Sequence, residues 1–220
     1  VDGAAGATRR IDWRELGQSL RLLGAVLAGA ALMQLLRYLL VVVNRNRPIP
    51  EWLDKLSLIS VLVFGCLAVA GALVVLVAFT RWLRDLREAD YRRIDRHEPR
   101  PAWQLIPGAV IPFVNVVTAP FLLLESTCTR PERAAAQARR RIERLAVAWA
   151  LVNLVGLIAL VYRFLAWRSE SIQTGADAMV WVILSFTVSA AFAYWAVPRL
   201  AALTEIDATV PVPERRPVAV

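Results

Sequence analysis

From Leu56 to Thr80 the chain runs for 25 residues without a charge. At ~1.5 Å per residue, a helix of that length exceeds the ~30 Å hydrocarbon layer of a bilayer. A helix that is apolar all round belongs in a membrane or in the core of a large protein, and this chain has only 220 residues. Three more blocks are long enough to cross: Leu22–Val43, Leu145–Trp167 and Ala178–Val197. The composition agrees, with 58% hydrophobic and 20% charged residues and a mean hydropathy of +0.51. Soluble domains sit near ~45–50% and ~25%. Disorder, collagen, a coiled coil and an ordinary soluble enzyme are excluded. The expected fold class is an all-α membrane protein, a four-helix transmembrane bundle.

A fifth apolar block, residues 102–124, itself uncharged, is different in kind. It contains Pro107, Pro112 and Pro120, with Gly108 and Asn115 between them. Each proline removes a backbone donor, and in hydrocarbon every freed carbonyl needs a partner. Two topologies compete: a fifth crossing, or a proline-broken re-entrant hairpin between the second and third spans. Charge separates them, because cytoplasmic flanks collect Lys and Arg. With a hairpin and both termini inside, 20 of the 26 basic residues lie inside and 4 outside, with Arg37 and Arg163 within spans. With five crossings the split becomes 12 and 12. The reading is therefore a multi-pass protein of a bacterial plasma (inner) membrane, with both termini cytoplasmic and Arg37 and Arg163 in the outer third of their helices.

The flanks are arginine-rich; Lys55 is the sole lysine. Residues 1–21 form a cytoplasmic N-terminal segment with an amphipathic stretch at Trp13, Leu16 and Leu20 that suits a membrane interface. Residues 22–203 form the transmembrane domain, and 204–220 a Pro/Val/Arg-rich cytoplasmic tail read as disordered. Residues 81–100 hold seven Arg and five acids. Spacings such as Arg81–Asp85, Arg84–Glu88 and Glu88–Arg92 extend the second helix past the membrane, with Trp82, Leu83, Leu86 and Ile94 as its apolar side. Thr129-Arg130-Pro131-Glu132 has the form of a capping box opening a helix that runs into the third span. Gly65, Ala68, Gly71 and Ala72 offer small surfaces for helix packing. Cys66 and Cys128 fall about a membrane thickness apart, so no disulfide is expected, and His97 stands alone among charges.

The stretch Trp103, Pro107-Gly108, Pro112-Phe113-Val114-Asn115, Pro120 and Glu125 resembles the central motif of the DUF4328 family of mainly actinobacterial membrane proteins. That motif has a Trp/Gly-rich start, then P-x-x-N, a further proline and an acid. The resemblance extends loosely over residues ~12–207, and Ala109-Val110 departs from an aromatic common before P-x-x-N. It implies a membrane architecture and brings no activity, because fold does not fix function.

Candidate sites follow from polarity in apolar surroundings. Pro107, Pro112, Asn115, Pro120 and Glu125 could line a polar cavity or shape a hairpin packed under the bundle; the structural role is favoured, with Glu125 paired to an arginine. Gln34, Arg37, Asn153 and Arg163 are polar groups in spans; the favoured reading is snorkelling for the arginines and interhelical hydrogen bonds for Gln34 and Asn153. Arg84, Arg87, Arg92, Arg93, Arg139, Arg140 and Arg141 form basic arms facing anionic lipid headgroups or a partner. No nucleophile–base set, phosphate loop or metal-ligand spacing is present in the sequence, so no enzyme, cofactor or metal is expected, and no recognition pattern for nucleic acid. The favoured function is an accessory or scaffold subunit of a membrane assembly, with a membrane-protein partner or a second copy. The alternative is a small transporter, channel or lipid-handling protein with the re-entrant segment as its site.

Overall fold

The computed structural model describes residues 13–92, 94, 111, 114–169 and 171–208, with side chains of the last helix described to Thr204. Its helices are α1 (Trp13–Asn44), α2 (Glu51–Arg92), α3 (Val114–Thr127), α4 (Glu132–Arg168) and α5 (Ile172–Ala208). No strand occurs among the described residues. Four of these helices are long and apolar enough to cross a membrane, and α3 is not. This is a multi-pass membrane protein.

The apolar blocks do not end where the helices end. A helix gains one hydrogen bond per added residue once nucleated, so each span carries its helix on into the polar flanks. The 42 residues of α2 span about 63 Å, roughly twice the hydrocarbon layer. It starts directly after Pro50, so the first loop is confined to residues 45–50, shorter than the expected 44–55. The Asn44 side-chain oxygen accepts from the Ile49 backbone N–H at 3.0 Å and closes that loop. Trp13, Leu16 and Leu20 sit within α1 itself. Leu16 and Leu20 are buried in the core, so this stripe packs against the bundle and not into an interface. At the other end, α5 continues through Pro198 for ten residues, beyond the apolar block that closes at Val197. The Arg199 side chain supports this turn: its guanidinium lies 3.8 Å over the Trp195 ring and its Nη1 donates to the Trp195 carbonyl at 2.7 Å.

Helix contacts run in the order α2–α1–α5–α4, and α3 bridges α4 back to α2. Small residues set the closest approaches, chiefly on α1. A Cβ on Gly29 would lie 2.4 Å from the Phe64 ring, and one on Gly24 2.9 Å from the Tyr194 ring. On α2 the expectation holds only in part. A Cβ on Gly71 would meet Leu23, whereas Gly65 has no neighbour within 4 Å. Ala68 is buried but Ala72 is exposed.

The main core lies toward the end of the bundle that carries Trp13 and Thr204, here termed the base. It joins Leu16 and Leu20 of α1, Trp82, Leu83 and Leu86 of α2, Leu122 and Leu123 of α3, Ala138, Ile142 and Leu145 of α4, and Ala196, Val197 and Leu203 of α5. Along the membrane-spanning lengths, α2 and α4 are far more open: only 11% of the most apolar stretch of each is buried. Of the anticipated re-entrant segment, residues 114–124 lie in α3, while Pro107 and Pro112 fall outside the described residues. At about 21 Å, the 14 residues of α3 are too short to cross as a helix. The N-terminal residues 1–12 and the tail beyond 208 also lie outside the described residues.

Candidate functional site

Past Thr80, the inward face of α2 carries Trp82, Leu83, Leu86, Arg87 and Asp90, a spacing that keeps them on one side of a helix. Ile94, expected on that side, is instead exposed. Arg87 and Asp90 are both fully buried. Charges in such a place must be paired and hydrogen-bonded, and both are.

Arg87 reaches α3. Its Nη2 donates to Glu125 Oε2 at 3.1 Å and its Nη1 donates to the Leu122 carbonyl. The Tyr91 ring lies 5.6 Å from its guanidinium carbon. Leu122 lies toward the C-terminal end of α3, where the helix dipole is negative and favours a cation. The neighbouring carbonyls are served locally. Ser126 Oγ donates to Leu123 at 3.0 Å, Thr127 Oγ1 to Leu124 at 2.7 Å and Thr129 Oγ1 to Ser126 at 2.8 Å.

That use of Thr129 corrects an expectation. No capping box forms at α4: Pro131 occupies the cap position without a side-chain hydrogen bond. The Thr129 hydroxyl is turned back to close α3. Arg130, between the two helices, is drawn inward. Its Nε and Nη2 clamp Asp90 at 3.1 and 2.9 Å, and its Nη1 donates to the Leu203 carbonyl of α5 at 3.5 Å. Its side chain is 2% exposed. From α4, Arg141 Nη1 donates to the Ala202 carbonyl at 3.1 Å. Three arginines thus join α2, α3, α4 and α5 at the base.

The sequence candidates divide on this geometry. Glu125 pairs with an arginine as anticipated. Arg87 and Arg141, expected to face lipid or a partner, instead point into the bundle, because helix ends there present carbonyls and an acid that a guanidinium can reach. Arg84, Arg92, Arg139 and Arg140 do stand exposed, with Arg92 on Glu88 at 2.6 Å and Arg139 on Glu143 at 2.9 Å. Arg93 and His97 lie outside the described residues. Of the spaced acid–base pairs on the α2 extension, Arg81 reaches Glu15 of α1 at 3.6 Å.

The polar groups in the spans are not brought together with the base. At the opposite end, Arg37 donates to Ser57 Oγ at 2.8 Å and lies 3.5 Å from Asp54, so it pairs with a neighbouring helix instead of reaching outward alone. Asn153 donates to the Trp149 carbonyl of its own helix at 2.8 Å, which corrects the expectation of an interhelical bond. Arg163 is exposed. Gln34 is buried and its Oε1 has no hydrogen-bond partner among the described residues. Asn115 is buried near the start of α3, and Pro120 lies within that helix. Cys66 and Cys128 are free thiols, both exposed, so Cys66 does not fill a packing gap.

Asp90 and Arg130 were not singled out from the sequence. Asp90 had a readable signal: it falls four and seven residues after Leu86 and Leu83, on the apolar side of the arm. Arg130 had none, since its partners lie 40 and 73 residues away.

A family model described as "Domain of unknown function (DUF4328)" matches residues 45–205. The chain belongs to the DUF4328 family. The match contains Arg87, Asp90, Glu125, Arg130 and Arg141, together termed the arginine latch, and begins just after α1, so its N-terminal limit is later than the resemblance suggested. Comparison of this DUF4328 member with curated proteins and with solved structures finds no match.

Proposed function

We propose that this protein is a non-catalytic accessory or scaffold subunit of an assembly in a bacterial plasma membrane. One observation carries the reading: the buried charges of the base are used to hold helices to one another. Arg87, Asp90 and Arg130 tie α2, α3 and α5 through ion pairs and backbone carbonyls, which gives a stiff platform. Exposed arginines, Arg84, Arg92, Arg139 and Arg140, project from that platform, and the spans of α2 and α4 keep broad apolar faces for neighbouring helices or lipid.

The orientation belongs to the same proposal. The 20-to-4 distribution of basic residues supports a cytoplasmic base with both termini inside. The short, uncharged start of α3, with Val114, Val117 and Phe121 exposed along one side, supports a segment that enters the bilayer and returns.

The test is mild-detergent purification from native membranes with mass spectrometry, run on the intact chain. A stoichiometric membrane-protein partner, lost on charge reversal of Arg139 and Arg140, is the expected result. A lone particle, unchanged by that reversal, overturns it. A second reading, a small transporter or lipid-handling protein, is favoured by the buried amide oxygen of Gln34 within α1, which has no partner among the described residues. A small solute that co-purifies with the lone particle and is lost in Gln34→Leu would select it.

A further inference from the structure

At the base, α1 and α5 leave an open depression of about 490 Å³ lined by Trp13, Arg21, Tyr194, Val197, Pro198 and Ala201. Its size is that of a small-ligand site, ~300–1,000 Å³. We propose that it binds the headgroup of an anionic phospholipid, with Arg21 on the phosphate.

Depth is the first argument. Arg21 directly precedes Leu22, where the first apolar block opens, and Val197 closes the last one. The depression therefore sits at the boundary between hydrocarbon and headgroups, the level at which Trp and Tyr collect. Charge is the second. Arg81 is paired with Glu15, Arg199 with the Trp195 carbonyl, and Arg87, Arg130 and Arg141 with the latch. Arg21 is exposed and has neither a hydrogen bond nor an ion pair among the described residues. A guanidinium matches a phosphate with two parallel hydrogen bonds.

The lining argues for a lipid over a soluble anion. Val197, Pro198 and Ala201 form an apolar floor. Leu22 and Tyr194, 69% and 48% exposed, continue the apolar surface toward the span, where an acyl chain would lie. Trp13 folds down over Gly17, whose missing side chain admits the ring: a Cβ there would lie 3.0 Å from it. This site depends on the base lying at headgroup level and not on the subunit reading.

The test is native mass spectrometry of the purified full chain, titrated with phosphatidylglycerol or phosphatidylcholine. One phosphatidylglycerol should be retained in preference to phosphatidylcholine. Arg21→Gln should lower that retention about tenfold, the loss of roughly one charge-assisted bond. Arg21→Lys, which keeps the charge without the paired hydrogen bonds, should keep part of it, and Arg47→Gln, exposed in the loop at the opposite end, should keep all of it. Circular dichroism of Arg21→Gln, an exposed substitution, should match the parent. Equal retention of the two lipids, or no effect of Arg21→Gln, overturns the proposal. Displacement of the lipid by millimolar inorganic phosphate also overturns it, in favour of a free-anion site.

Discussion

The base and the membrane-spanning half of this protein are held together by different physics. At the base, five helices meet around a leucine-rich core crossed by buried charge, with Arg130 and Asp90 at 2.9 Å and both side chains almost fully enclosed. In the spans, α2 and α4 keep most of their apolar surface outside the protein. Lipid tails are as apolar as leucine, so the spans gain little from burying such side chains against one another and associate through close approach at small residues. At the base, burial and directed hydrogen bonds select one arrangement. Specificity of assembly is therefore concentrated at one end of the bundle.

The sharpest way to break this contrast is to remove one partner of the latch. Asp90→Ala leaves Arg130 buried without its carboxylate, and Arg130→Ala does the converse. Removing one member of a buried pair costs about 3–5 kcal/mol. Each variant should lose most of its monodisperse yield in detergent, or melt far below the parent by circular dichroism. The paired replacement Asp90→Leu with Arg130→Met should recover much of that loss; if it melts as low as the single variants, charge pairing is not what the latch contributes.

A second contrast lies within the spans. Gly29→Ala pushes a Cβ to 2.4 Å from Phe64, so α1 and α2 must part or the ring must turn. Overpacking of this kind costs about 1–3 kcal/mol. Gly65→Ala meets nothing within 4 Å and should be neutral or slightly stabilising, since Ala is favoured over Gly in a helix by up to ~1 kcal/mol. Equal melting temperatures for the two variants would refute close approach as the organising feature of the spans. The smallest effect belongs to the exposed pair of Arg139 and Glu143. Arg139→Ala should shift stability by under about 0.5 kcal/mol, because such pairs are screened by water. A shift as large as that of Asp90→Ala would remove the distinction between surface arm and latch.

How far the site could be read varies with the range of each contact. The pairing of Glu125 with an arginine was legible, because an acid closing an apolar block beside basic arms has few other uses. The burial of Asp90 was legible in principle from its place on the apolar side of α2. The choice of Arg87 among seven arginines in that arm was not, since it depends on where the C-terminal carbonyls of α3 fall. The capping box at Thr129 failed for a related reason. In a capping box that hydroxyl would accept from a backbone N–H of the following helix; here it donates to the Ser126 carbonyl of the preceding one.

By itself the sequence determined four helices long and apolar enough to cross a bilayer, since long apolar runs in a chain of this size are at home there and a helix satisfies their backbone. It also determined the long polar extensions of α2 and α4, because helix continuation is local. The tertiary structure alone decided which arginines turn inward, that α3 links α4 back to α2, and that Arg21 lies beside a pocket with no hydrogen bond or ion pair among the described residues. Those outcomes depend on charges and carbonyls brought together from positions 35 to 73 residues apart, and no local pattern encodes the distance between them.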